Sequence, residues 1–199
     1  GPLAIGFDFI IDRPTDPAKD AALADALKKA RAPVILGVIN ESPRPESGKP
    51  FQSKFVAEVN RSAGHIYFEK GHNSLVISDH VVRLMAKPSD ERTYKNAFAE
   101  QLAQQAGTYP KPKSEYISWL LQPKDQTETF FTLSAEQVLS RGGGPALPIK
   151  ELLNGKIVLI GGNFSDRDQH LIPLSVLDGR RYPGLFIHAQ ILAQFSIPS

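Results

Sequence analysis

Residues 154–174 read NGKIVLIGGNFSDRDQHLIPL, and the choice of fold and of chemistry turns on how they are understood. The run 157–160 is continuously apolar rather than alternating, the pattern of a strand covered on both faces of a parallel sheet. Gly161 and Gly162 follow, and then Asp166, Asp168 and His170. Three chemical readings compete with a plain strand end. A dinucleotide cradle needs a helix directly after its glycines, but here a polar loop follows and the next helix is expected only near Leu185. No Gly-Lys-Ser/Thr follows the glycines either, so a P-loop is excluded. Asp166, Asp168, His170 and His188 could ligate a metal, but the sixth position from Asp166 is Leu171, where a calcium loop needs glycine. Ser165 has Asp168 and His170 nearby in sequence but no G-x-S-x-G elbow. The expectation is therefore a turn stiffened by acidic side chains, with no catalytic residue, no metal and no cofactor.

Working outward, 3–12 (LAIGFDFIID) and 32–40 (APVILGVIN) are apolar in the same continuous way. Between them lies a helix, with Asp16 or Thr15 as its cap, Pro17 in its first turn, and an apolar stripe of Leu23, Leu27 and Ala30. That strand–helix–strand order predicts parallel neighbours with a right-handed crossover. The middle reads differently. Segments 64–70 and 80–87 alternate and flank a polar turn with a short strand at 74–78, as an antiparallel hairpin would. Residues 53–62 suggest a helix, 93–106 a helix stopped by Gly107, and 115–122 a strand. Ser134 and Gln137 spell a capping box, a short helix ends at Gly155, and the last helix begins near Leu185. The fold class expected is α/β: a three-layer sandwich with a mixed, largely parallel central sheet and an antiparallel insertion.

Asp8 is the unusual acid. It sits inside an apolar strand between Phe7 and Phe9, where an unpaired carboxylate costs on the order of several kcal/mol. It must meet a partner, protonate or face a cavity; Arg13, Arg167, Lys156 and His188 are the candidate partners. Asp12, Asn40 and Asn163 end or follow the parallel strands, on the rim where ligands of open α/β sheets bind. His65, His72 and His80 read as loop or strand surface.

The 199 residues carry a formal charge of +2, 41% hydrophobic and 22% charged residues, and no cysteine. Those values describe an ordinary globular domain and give no reason to expect a nucleic-acid partner. Disulfide and thiol chemistry are excluded. No apolar run approaches the ~20 residues that span a bilayer. Gly1 and Pro2 read as the scar of a cleaved tag, leaving 3–199 as a single domain. The abrupt strand start and helix end lead us to expect a piece of a longer chain.

Several spaced motifs occur together and in order: Ile-Gly-Phe-Asp at 5–8, Lys-Ile-Val-Leu-Ile-Gly at 156–161, Asp168, His170 and Pro173, and Pro-Gly-Leu-Phe-Ile-His-Ala at 183–189. With them the chain resembles the type-two CHASE domain, the extracellular sensory module of bacterial signalling proteins associated with cyclases and histidine kinases. The resemblance is dense at both ends and loose from 41 to 150. It implies an extracytoplasmic location, flanking transmembrane helices, and a cytoplasmic effector in the same chain. That effector would be a histidine kinase, a nucleotide or diguanylate cyclase, or a Ser/Thr kinase. It implies no catalytic residue and no shared ligand, so the stimulus, small molecule or protein, stays open. Asp8 on the first strand and His170 or His188 near the last helix are expected to form a polar clamp between the chain ends. Asp8, Asp12, Asn40, Asn163, Asp168, His170 and His188 are thus the candidates for ligand binding or signal coupling. The competing readings are a hydrolase-like enzyme using the Asp168/His170 loop and a scaffold that only dimerises; a homodimer fits a sensor as well.

Overall fold

The computed structural model describes residues 1–39, 51–70, 80–88, 90, 93–108, 114–124, 128–139, 147–164 and 168–196. In chain order the elements are β1 (Ala4–Asp8), α1 (Pro17–Lys29), β2 (Val34–Val38), α2 (Phe51–Val59), β3 (Ser62–His65), β4 (Glu69–Lys70) and β5 (Val82–Leu84). There follow α3 (Phe98–Gln105), α4 (Ala135–Val138), α5 (Ile149–Leu153), β6 (Ile157–Gly161), β7 (Gln169–His170), α6 (Ser175–Asp178), β8 (Tyr182–Pro183) and α7 (Gly184–Ser196).

The central sheet has the order β3-β2-β1-β6, and all its pairings are parallel. The first strand and the late strand are therefore neighbours, in register from Ala4 opposite Ile157 to Asp8 opposite Gly161. Successive side chains of a strand point to opposite faces, and the two cores follow that rule. Val34, Leu36 and Val38 join Ala24 and Leu27 of α1 and Phe55 and Val59 of α2. On the other face Ala4, Ile35, Ile157 and Leu159 join Phe98 and Leu102 of α3 and Ile187, Ile191 and Phe195 of α7. Helices thus cover both faces, and the α/β three-layer expectation is what forms. Antiparallel pairing lies beside the central sheet, in two small ladders, β4 with β5 and β7 with β8.

Local chemistry explains the element ends. Asp16 accepts from the backbone N–H of Ala18 and Lys19, capping α1. Its far end is held by Arg61, whose guanidinium donates to the carbonyls of Leu27, Lys28 and Ala30 at 2.9, 2.7 and 2.7 Å, satisfying acceptors that a helix terminus leaves open. The Ser134/Gln137 capping box is present. The α3 helix lies close on the sheet because Gly6 and Gly64 leave it room; a Cβ on Gly64 would stand 2.6 Å from the Cα of Phe98.

Four expectations need correction. Segment 64–70 is not one hairpin arm. Its beginning belongs to β3, which pairs parallel with β2, and only Glu69 and Lys70 pair antiparallel with β5. Alternation gives the period of a strand but not its partner. The 74–78 strand lies outside the described residues. Segment 115–122 forms no strand beyond an isolated Leu84–Tyr116 bridge. Two backbone bonds, from the Met85 N–H to Glu115 and from the Ile117 N–H to Arg83, hold its beginning beside β5. Helix side chains meet the rest: Gln190 accepts from the N–H of Leu120 (2.8 Å) and donates to its carbonyl (3.1 Å), and Gln194 accepts from the N–H of Ser118 (3.1 Å). The same device occurs at Gln52, which pairs both backbone groups of Ile39. Finally, β1 stops at Asp8, and the helix expected over 93–106 spans only Phe98–Gln105.

Candidate functional site

The strand register brings the chemistry together at the carboxyl ends of β1, β3 and β6. A Cβ on Gly6 would meet Leu102, Phe98 and Leu159, so Ala4, Gly6 and Asp8 share the face covered by α3 and α7. Gly161 lies opposite Asp8, and a Cβ there would stand 3.3 Å from the Cβ of Asp8. Asp8 therefore turns inward at the strand end, toward the segment that leads from β6 into α7.

Asp168 organises that segment. Its Oδ1 lies 2.9 Å from His170 Nε2, and its Oδ2 accepts from the Gly184 N–H at 3.1 Å. Gly184 is the first residue of α7, where exposed N–H groups and the helix dipole favour a carboxylate. Glycine lets the carboxylate come this close, because a Cβ there would stand 2.7 Å from Asp168 Oδ1 and push the side chain aside. Asp168 itself has φ 57°, in the left-handed region that aspartate tolerates better than most residues. The carboxylate thus fastens the loop after β6 to the first turn of the last helix.

His188 lies one turn further along α7 and is 3% exposed. Its ring packs between Phe68 (centroids 4.6 Å) and Phe98 (5.0 Å), and Phe68 also meets the edge of His170 at 5.1 Å. Among the described residues the Nδ1 of His188 has no hydrogen-bond partner. Burial pushes its pKa down to about 3, with Asp168 opposing and His170 and His65 adding to the fall. Asp8 is displaced the other way: burial and then the negative charge of Asp168 push its pKa up to about 7, with His170 opposing. The result is a desolvated acid and a desolvated base held near neutrality of charge, beside an exposed Asp168–His170 pair.

Of the sequence candidates, Asp8, Asp168, His170 and His188 fall in this cluster. The expected clamp takes a different form among the described residues. No hydrogen bond joins Asp8 to either histidine, and none of Arg13, Lys156 and His188 forms an ion pair with it; the bond that ties the end of the sheet to α7 is made by Asp168. Arg167 lies outside the described residues, as do Asn40, Asp166 and His72. Asp12 is exposed. Asn163 is exposed too and accepts from Gln169 Nε2 at 3.2 Å, a loop brace. His65, expected at the surface, is fully buried, because β3, rather than forming a hairpin arm, pairs parallel with β2 at the sheet edge, and the start of α3 lies close against it. Phe68 and Gly184 join the site without being candidates from the sequence; the Pro183-Gly184 step ahead of an apolar helix is the signal that points to Gly184, and Phe68 is placed by its ring contacts with His170 and His188.

Chemically the cluster can exchange protons but has little to attack with. His170 Nε2 is engaged by Asp168, and among the described residues no hydroxyl bonds to either histidine. No group of three ligating side chains suited to a metal occurs among them. No described helix is long and apolar enough to cross a membrane. A family model described as the CHASE2 domain matches residues 1–198. No curated protein and no solved structure matches the chain.

Proposed function

From the premise that the chain belongs to the CHASE2 domain family, we propose that it is the stimulus-sensing input domain of a bacterial membrane-bound receptor. CHASE2 is a family of extracellular sensory domains of signalling proteins. In this reading the domain stands outside the cytoplasmic membrane, catalyses nothing itself, and passes a conformational change through flanking membrane helices. The output is a histidine kinase, a nucleotide or diguanylate cyclase, or a Ser/Thr kinase.

One observation carries the reading. The first strand and the strand before the last helix are bonded side by side over five residues. The α7 helix leaves from the carboxyl end of that pair, and along its length it buries Ile191 and Phe195 in the core that also holds Ala4. Whatever displaces the Asp168 fastening is therefore felt both at the first strand and along the last helix. Two discrete packings of such an element need differ by only about 1–3 kcal/mol to carry a signal.

The chain has no cysteine, so a Lys19→Cys variant of the full-length protein provides a unique label within the domain, at an exposed position. A membrane-impermeant maleimide should label it in intact cells. Labelling only after lysis would place the domain inside the cell and end the receptor reading.

A further inference from the structure

We propose that Asp8 and Asp168 form a proton-gated latch on the first turn of α7, closed when Asp8 is protonated and opened when it ionises. The inference rests on the receptor reading only for its consequence, which is that the stimulus is the acidity of the surroundings.

The geometry assigns unequal freedom to the two carboxyls. Asp8 sits on β1, which is hydrogen-bonded on one side to β2 and on the other to β6. Its backbone is in register with Gly161 of β6, and β2 holds the strand as far as Phe7, so it has less freedom than a residue on a loop. Asp168 stands on a loop, its side chain 42% exposed, and is held by the His170 ring and the Gly184 N–H. When Asp8 carries no charge, Asp168 is the sole carboxylate at the strand end and keeps both bonds. When Asp8 ionises, two like charges act on one another at a partly buried strand end, where their repulsion is larger than in water. Asp168 can relieve it by turning to solvent, and that movement gives up the Oδ2 bond to the Gly184 N–H, leaves that group the longer 3.3 Å bond to the Asp168 carbonyl, and loosens the start of α7.

The charged and titratable groups around the latch fix the direction. Asp168 and His170, on the segment between β6 and α7, act on Asp8 with opposite sign. On α7 stands His188, which Asp168, His170 and, from β3, His65 all act upon. The burial of Asp8 puts its half-point near pH 7, inside the range that surroundings outside a cell traverse.

The test is a pH titration of the 199-residue chain, following the Gly184 amide resonance in ¹⁵N–¹H spectra, with Asp8→Asn and His170→Gln alongside. In the wild type the resonance should shift in one step, half-complete near pH 7. In Asp8→Asn it should hold its acid-side position from about pH 5 to 8, on either side of that half-point. In His170→Gln the step should remain and move to higher pH, because an opposing positive charge has gone. A flat wild-type titration overturns the latch, as does a step that survives Asp8→Asn and vanishes in His170→Gln. Either result leaves the receptor reading in place with another stimulus. Intracellular labelling at Lys19→Cys would remove the receptor and leave the titration as it is.

Discussion

Replacing Asp8 with asparagine should uncover a dependence of stability on pH that the native protein hides. Asp8 has its pKa raised in the folded state from 3.8 to about 7. Its contribution to stability is full below pH 3.8 and is lost as pH rises through 7. His188 has its pKa lowered from 6.5 to about 3, so its contribution is full above pH 6.5 and is lost as pH falls toward 3. A tenfold change in proton affinity on folding is worth about 1.4 kcal/mol, so each group amounts to at most roughly 4–5 kcal/mol, reached where solvent screens neither group. Between about pH 4 and 6.5 the two slopes oppose one another and nearly cancel. Asp8→Asn removes one of them. The stability of the variant should climb with pH across that window by up to about 1.4 kcal/mol per pH unit, one proton's worth. The difference between variant and wild type is the cleaner quantity, because titrating groups not coupled to Asp8 cancel in it. It should grow in favour of the variant from about pH 4 to pH 8, toward a ceiling of about 4 kcal/mol. Urea denaturation at half-unit intervals, with slopes compared to confirm two-state behaviour, reads it directly. A difference that is the same at about pH 4.5 and pH 8 would show that Asp8 is not desolvated, and the account of the site would fail with it.

Gly184→Ala should cost about 1–3 kcal/mol by overpacking, since the new Cβ meets Asp168 Oδ1 at 2.7 Å. Most of that cost should vanish in an Asp168→Ala background, which a double-mutant cycle of thermal midpoints measures. Gln190→Ala should cost about 1–3 kcal/mol by leaving both backbone groups of Leu120 unpaired in a buried setting, and hydrogen exchange at Leu120 should rise. Gln194→Ala, which gives up one bond to Ser118, should cost less in the same assay. Gly64→Ala should lower the melting temperature without altering the Gly184 titration, because its clash is with the Phe98 backbone.

The parallel sheet is legible in the sequence because its strands are buried on both faces and so apolar without a break; β1, β2 and β6 each announce themselves that way. The caps at Asp16 and Ser134 are equally plain, since their bonds are local. What stays hidden has partners remote in sequence. The four residues of β3 include Ser62 and Gly64, which carry little apolar signal, and their pairing depends on a Gly64–Phe98 approach that periodicity does not encode. Segment 115–122 has the alternation of a strand, but only its beginning meets a strand, and the groups that satisfy Ser118 and Leu120 are glutamines seventy and more residues away. At the site, Asp8 stands out as a carboxyl among phenylalanines, whereas Gly184 matters for a side chain it lacks.

Those glutamines have a dimensional consequence. Gln190 and Gln194 are four residues apart on a helix, an advance of about 6 Å, while Ser118 and Leu120 are two apart in extended chain, about 6.6 Å. Their pairing, 194 with 118 and 190 with 120, runs the segment antiparallel to the helix, like a toothed rack against a bar. The two repeats differ by about 0.6 Å per tooth, so the mesh holds for a pair of teeth and slips beyond it. A sliding α7 would accordingly meet resistance in steps of one helical turn, each step marked by a glutamine leaving its notch.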